Sequence, residues 1–110
     1  TGRPPDTYGV SREWLLKHHV PFDRLVMVDK YGRNHAPEAG VPTLTVDEVC
    51  AREFAFAVED SLHMAACLLA KTALPVALLS RPWNKEWQSL RGDSRLTRYE
   101  NWAEMAAIVE

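Results

Sequence analysis

The chain has 110 residues, 46% of them apolar and 25% charged, with a formal net charge of -2. This is one domain's worth of an ordinary globular composition, without the strongly basic character of a nucleic-acid-backbone binder. No apolar run nears the roughly 20 residues needed to span a bilayer, so a membrane-spanning helix is not expected.

From the start of the chain, residues 1–9 read as a loop with two prolines and a Tyr-Gly pair. Ser11 reads as the N-cap of the first helix, with Val10 and Leu15 at the two positions of a hydrophobic staple. Trp14, Leu15 and His18 mark one face of that helix, which must stop before Pro21. The apolar run 25–28 is expected to be a buried strand, followed by a polar loop over 29–42. Thr45 and Glu48 match a capping box and open a brief helix through Cys50.

Residues 54–58 form the next expected strand, and Leu62, Ala65, Ala66 and Leu69 then follow a helical period. A third strand is expected over 75–79, with Pro75 tolerable at its first position. The stretch 81–93 reads as a long loop. Asn101 and Glu104 open a last helix, with Trp102, Met105, Ala106 and Val109 along one face. Strands alternating with helices predict an α/β fold with a parallel sheet covered on both faces. Cys50 and Cys67 are the only cysteines and have no metal-site or disulfide-framework spacing, so free buried thiols in a reducing compartment are expected.

The adjacent acids Glu59 and Asp60 carry the most chemistry. They end an expected strand and precede a helix, which is where open α/β sheets bind ligands. Magnesium takes hard oxygen ligands, usually one or two carboxylates plus water and phosphate oxygens, so Asp60 is a candidate ligand and Glu59 a candidate neighbour to it. A second reading stays open, in which both acids are solvated residues favoured by the helix dipole. Lys30 follows another expected strand and would emerge at the same sheet end, where an ammonium can offset phosphate charge. Its alternative is a surface lysine in a polar loop whose Asp29 and Arg33 form solvent-screened pairs. Thr1 and Gly2 can offer a hydroxyl and an N–H to a phosphoryl oxygen, with Arg3 as a further clamp. Trp83 and Asn84 follow the third expected strand at the right end for a rim contact with substrate, or for loop anchoring together with Trp87. His18, His19, His35 and His63 have no metal-ligand spacing.

Taken in order, Thr1-Gly2-Arg3-Pro4, Lys30, Glu59-Asp60-Ser61 and Pro82-Trp83-Asn84 resemble the C-terminal part of a haloacid-dehalogenase-superfamily phosphatase. The likeness is to nucleotidase-like and polynucleotide-phosphatase-like members, and it covers nearly the whole of residues 1–110. It implies a Rossmannoid three-layer sandwich and Mg²⁺-dependent hydrolysis of a phosphate monoester, a nucleotide or a nucleic-acid terminal phosphate. Thr1 would then bond the transferring phosphoryl group, Lys30 would stabilise nucleophile and phosphate, and Asp60 would bind the metal directly. Glu59 stands where the family usually has an aspartate.

The family's attacking Asp-x-Asp motif occurs nowhere in the chain. In the superfamily that motif ends the central strand, so the first two core strands are expected to lie outside these residues. The opening Thr-Gly-Arg-Pro-Pro is also expected of a fragment, a processed chain or part of a longer one. Strand 25–28 would lack a neighbour and 54–58 would expose an apolar edge, which predicts completion by an upstream segment, a complementary chain or a swapped copy. Sparse cysteines and no visible targeting signal make the cytoplasm the default expectation. Two other readings stand beside the phosphatase: a non-catalytic binding or assembly module of the same superfamily, and an unrelated doubly wound α/β domain.

Overall fold

The computed structural model describes residues 1–32 and 39–109. The chain divides into two compact units, Thr1–Ala51 and Arg52–Glu110, each taken here by itself. All strand pairs described are parallel, and helices alternate with strands, so the class is α/β, compatible with a Rossmann-like arrangement. No helix among the described residues is long and apolar enough to cross a membrane.

In the first unit a 3-10 turn at Pro5–Thr7 feeds helix α1 (Tyr8–Lys17). The helix therefore starts earlier than Ser11. Pro5 presets the first turn, and Thr7 is the N-cap without a side-chain cap bond. Ser11 sits inside the helix, buried, and accepts a hydrogen bond from Arg3 Nη1 at 2.9 Å. Strand β1 (Met27–Asp29) pairs with β2 (Thr43–Thr45), a strand not expected from the sequence, where residues 43 and 44 were assigned to no element and Thr45 was read only as a cap. β1 also has a companion on its other side. Thr1 N donates to Val26 O at 3.0 Å, and Val28 N donates to Thr1 O at 2.7 Å. The expectation that strand 25–28 lacks a neighbour is thus corrected: β1 lies between β2 and the start of the chain. Helix α2 (Val46–Cys50) follows β2 directly, and Thr45 and Glu48 close the expected capping box in both directions.

The second unit is a three-stranded sheet in the order β3 (Ala57–Glu59), β4 (Val76–Leu79), β5 (Leu96–Tyr99). Helix α3 (Leu62–Lys71) joins β3 to β4, and α4 (Trp102–Val109) follows β5. Met64, Ala65, Leu68 and Leu69 from α3, Val76, Leu78 and Leu79 from β4, Leu96 and Met105 form the core. Full burial of one such large side chain contributes about 1.5–3 kcal/mol, which is why β4 sits in the middle. On α4 Met105 is buried, whereas Trp102 and Ala106, also expected to face inward, are exposed. Arg95 closes the far end of α3. Its guanidinium donates to Leu69 O and Thr72 O and pairs with Asp93 at 2.9 Å. That hydrogen-bonded guanidinium holds the Asp93 carboxyl below its ordinary value.

β3 begins at Ala57, not at Phe54. Ala57 N donates to Pro75 O, so the start of β4 sets where pairing begins. Phe54, Phe56 and Val58 are exposed, and no described strand pairs with the second edge of β3. Cys50 and Cys67 form no disulfide and are half-buried.

Candidate phosphate and metal site

In the first unit the structure brings Thr1, Gly2 and Lys30 together. Because Thr1 lies alongside β1, the turn after it meets the residue that follows β1. The Lys30 stem crosses Gly2: a β-carbon placed on Gly2 would stand 2.9 Å from Lys30 Cδ and 3.2 Å from a Tyr31 ring carbon. Only a residue without a side chain allows that approach. Lys30 is fixed at its backbone by a bond from its N–H to Val28 O at 2.8 Å. The Gly2 backbone and the Lys30 stem thus meet at the carboxyl end of a parallel strand, the end where α/β sheets take ligands, with Thr1 paired alongside that strand and its hydroxyl accepting from Arg3 N at 3.4 Å. Arg3 is placed differently. Its guanidinium donates to Ser11 on α1, where an oxygen of phosphate had been expected. Arg33 and His35 lie outside the described residues.

In the second unit Glu59, Asp60, Trp83 and Asn84 come together at the carboxyl ends of β3 and β4. Glu59 is half-buried as the last residue of β3, and Asp60 is exposed in the turn before α3. Ser61 is the N-cap of α3 and accepts from Met64 N at 3.2 Å. Ser61 therefore does the capping, and the Asp60 carboxylate makes no hydrogen bond or ion pair among the described residues.

The backbone of Asp60 is held firmly. Its carbonyl accepts from Trp83 Nε1 at 3.1 Å and from Asn84 Nδ2 at 2.8 Å. Asn84 lies in a 3-10 turn, Pro82–Asn84, and is fully buried. Its amide nitrogen also donates to Leu79 O at 2.7 Å, and its oxygen accepts from Arg81 N at 2.9 Å. The expected substrate contact from Asn84 is accordingly corrected: burial and three main-chain bonds make it an anchor of the turn. Trp83 keeps an exposed ring, at 65%. Arg98 continues the tie to β5, donating to Asn84 O and Ser80 Oγ, with its guanidinium 5.3 Å from the centre of the Trp87 ring. This is the loop-anchoring role open to Trp87 from the sequence. The anchoring stood there only as an alternative without named partners, and β5 was not found, since bonds spanning 24 and 14 residues leave no local pattern.

The donor chemistry fits magnesium. Two adjacent carboxylates supply the one or two that this ion usually takes from protein, with water and phosphate oxygens completing six. No group of three or more His, Cys, Asp and Glu residues comes together among the described residues, and magnesium does not need one. His63 is exposed on α3, with its Nε2 3.9 Å from Cys67 Sγ. Comparison with protein-family models, curated proteins and solved structures found no match for the chain.

Proposed function

We propose that this chain is the phosphate- and metal-binding part of a Mg²⁺-dependent phosphatase of haloacid-dehalogenase type. The observation that carries the proposal is the meeting of Thr1, Gly2 and Lys30 at the carboxyl end of β1. The exposed Asp60 carboxylate on an anchored backbone at the end of β3 supports it. The substrate is a phosphate monoester, a nucleotide or a nucleic-acid terminal phosphate.

Thr1 Oγ1 and Gly2 N–H orient phosphoryl oxygens, and Lys30 offsets the charge that collects on phosphate and nucleophile. Asp60 holds the ion, with Glu59 beside it. When bound, Mg²⁺ supplies Lewis-acid polarisation of a phosphoryl oxygen. An aspartate outside these residues would attack phosphorus as the P–O ester bond breaks; a second acid outside these residues would protonate the leaving oxygen and then take a proton from the water that hydrolyses the aspartyl-phosphate. The edge of β3 with which no described strand pairs is where a further strand would complete the sheet, supplied by the parent chain, a complementary chain or a second copy. Phe54, Phe56 and Val58 stand exposed there. A groove of about 350 Å³ beside them is lined by Phe56, Ala77, Thr97, Tyr99 and Met105. Uncovered, such an edge invites aggregation.

The test is phosphate release by the full-length protein from nucleoside monophosphates and 3′-phosphorylated oligonucleotides, with Mg²⁺ or with EDTA. Release that needs Mg²⁺ is expected. Equal rates with EDTA, or none from any monoester, would overturn the proposal.

Gly2→Ala tests the first unit separately. The new β-carbon must push the half-buried Lys30 stem aside, and the flexible end of such a stem yields at little cost to stability. Turnover should drop about tenfold while the melting temperature holds, because displacement of a catalytic group by about 1 Å is enough for such losses. Unchanged turnover would show that the Lys30 position is immaterial.

A further inference from the structure

We infer that Trp83 and Asn84 are positioning residues that aim the Asp60 carboxylate, resting on the metal-ligand role proposed above for Asp60. A carbonyl oxygen has two lone pairs. At Asp60 both take side-chain donors, one from an exposed indole and one from a fully buried amide. That carbonyl belongs to the peptide plane between Asp60 and Ser61. Ser61 in turn is held by its cap bond to Met64 N, so the plane is fixed from both sides.

Helix capping does not require this, since Ser61 caps α3 unaided. The Asn84 amide cannot turn away, because Leu79 O and Arg81 N hold it to the end of β4. With its backbone immobilised, the Asp60 carboxylate keeps only its own rotamers. A metal ligand must hold its distance within about 0.2 Å, and the partners that orient it commonly matter 10–100-fold in affinity.

The experiment titrates Mn²⁺, as a paramagnetic stand-in for Mg²⁺, into the full-length protein and follows broadening of the Ser61 and Leu62 amide NMR signals. Amide exchange at the same positions and the melting temperature are recorded alongside. Trp83→Phe removes one donor and keeps the exposed ring; Asn84→Asp keeps volume and the acceptor for Arg81 N but removes both donated bonds. Asp60→Asn is expected to abolish the specific broadening at the Mn²⁺ concentrations that saturate the unmutated protein, and persistence is judged at those same concentrations. Trp83→Phe should speed exchange at Ser61 and weaken Mn²⁺ about threefold at unchanged melting temperature, as the loss of one hydrogen bond predicts. Asn84→Asp should weaken it about tenfold or more; should that variant not fold, Trp83→Phe decides alone. Faster exchange in Trp83→Phe with wild-type Mn²⁺ affinity would reduce the pair to a structural tie and overturn the inference. Broadening that persists in Asp60→Asn would instead remove the metal role of Asp60, and the positioning role with it.

Discussion

Asp60→Asn is expected to cut turnover at limiting Mg²⁺ by roughly two to three orders of magnitude while leaving the fold intact. The substitution keeps the side-chain shape and one oxygen but removes the charge that draws a divalent cation. Stability should change by no more than about 0.5 kcal/mol, because the carboxylate is exposed and has no partner among the described residues. The hydrogen bonds from Trp83 and Asn84 go to the main-chain carbonyl and survive the change. Part of the lost rate should return at high Mg²⁺, since water and Glu59 can still hold the ion. Kinetics against Mg²⁺ concentration, paired with a thermal melt, check both halves. Turnover unaltered at limiting Mg²⁺ would leave Asp60 as a solvated residue at the start of a helix.

The apolar runs 25–28 and 75–79 were legible as containing strands because burial leaves a nearly unbroken apolar signal, although β1 runs over Met27–Asp29 and β4 over Val76–Leu79. Strand β2 was not, since Thr43-Leu44-Thr45 is too short and polar to stand out, and only its pairing with Met27–Asp29 defines it. Strand β5 hid for a different reason. It carries Arg98, a charge that reads as surface, yet that side chain is nearly buried and its guanidinium bonds to Asn84 O and Ser80 Oγ. The Phe54–Phe56 stretch misled in the opposite direction: aromatic residues suited to a strand lie exposed ahead of it. Motif residues were legible by identity and by their place after strands. The contacts that organise them were not, since Gly2 under Lys30 and Asn84 beneath Asp60 arise from chain crossings far apart in sequence.

Lys30→Met should lower kcat by about a hundredfold or more, with a much smaller change in KM and no change in Mg²⁺ dependence. Methionine keeps an unbranched apolar stem able to lie across Gly2, so packing is largely preserved while the ammonium is lost. An interaction that grows as charge gathers on phosphate and nucleophile appears in kcat; one made equally with bound substrate appears in KM. Gly2→Ala supplies the internal check. If Gly2 matters because it lets Lys30 approach, Gly2→Ala should cost little in a protein already carrying Lys30→Met, and the two losses should fall well short of additive. Full additivity would mean that Gly2 acts through its own N–H and not through the lysine. A rise confined to KM in Lys30→Met would remove the lysine from the chemical step and leave it a binding charge.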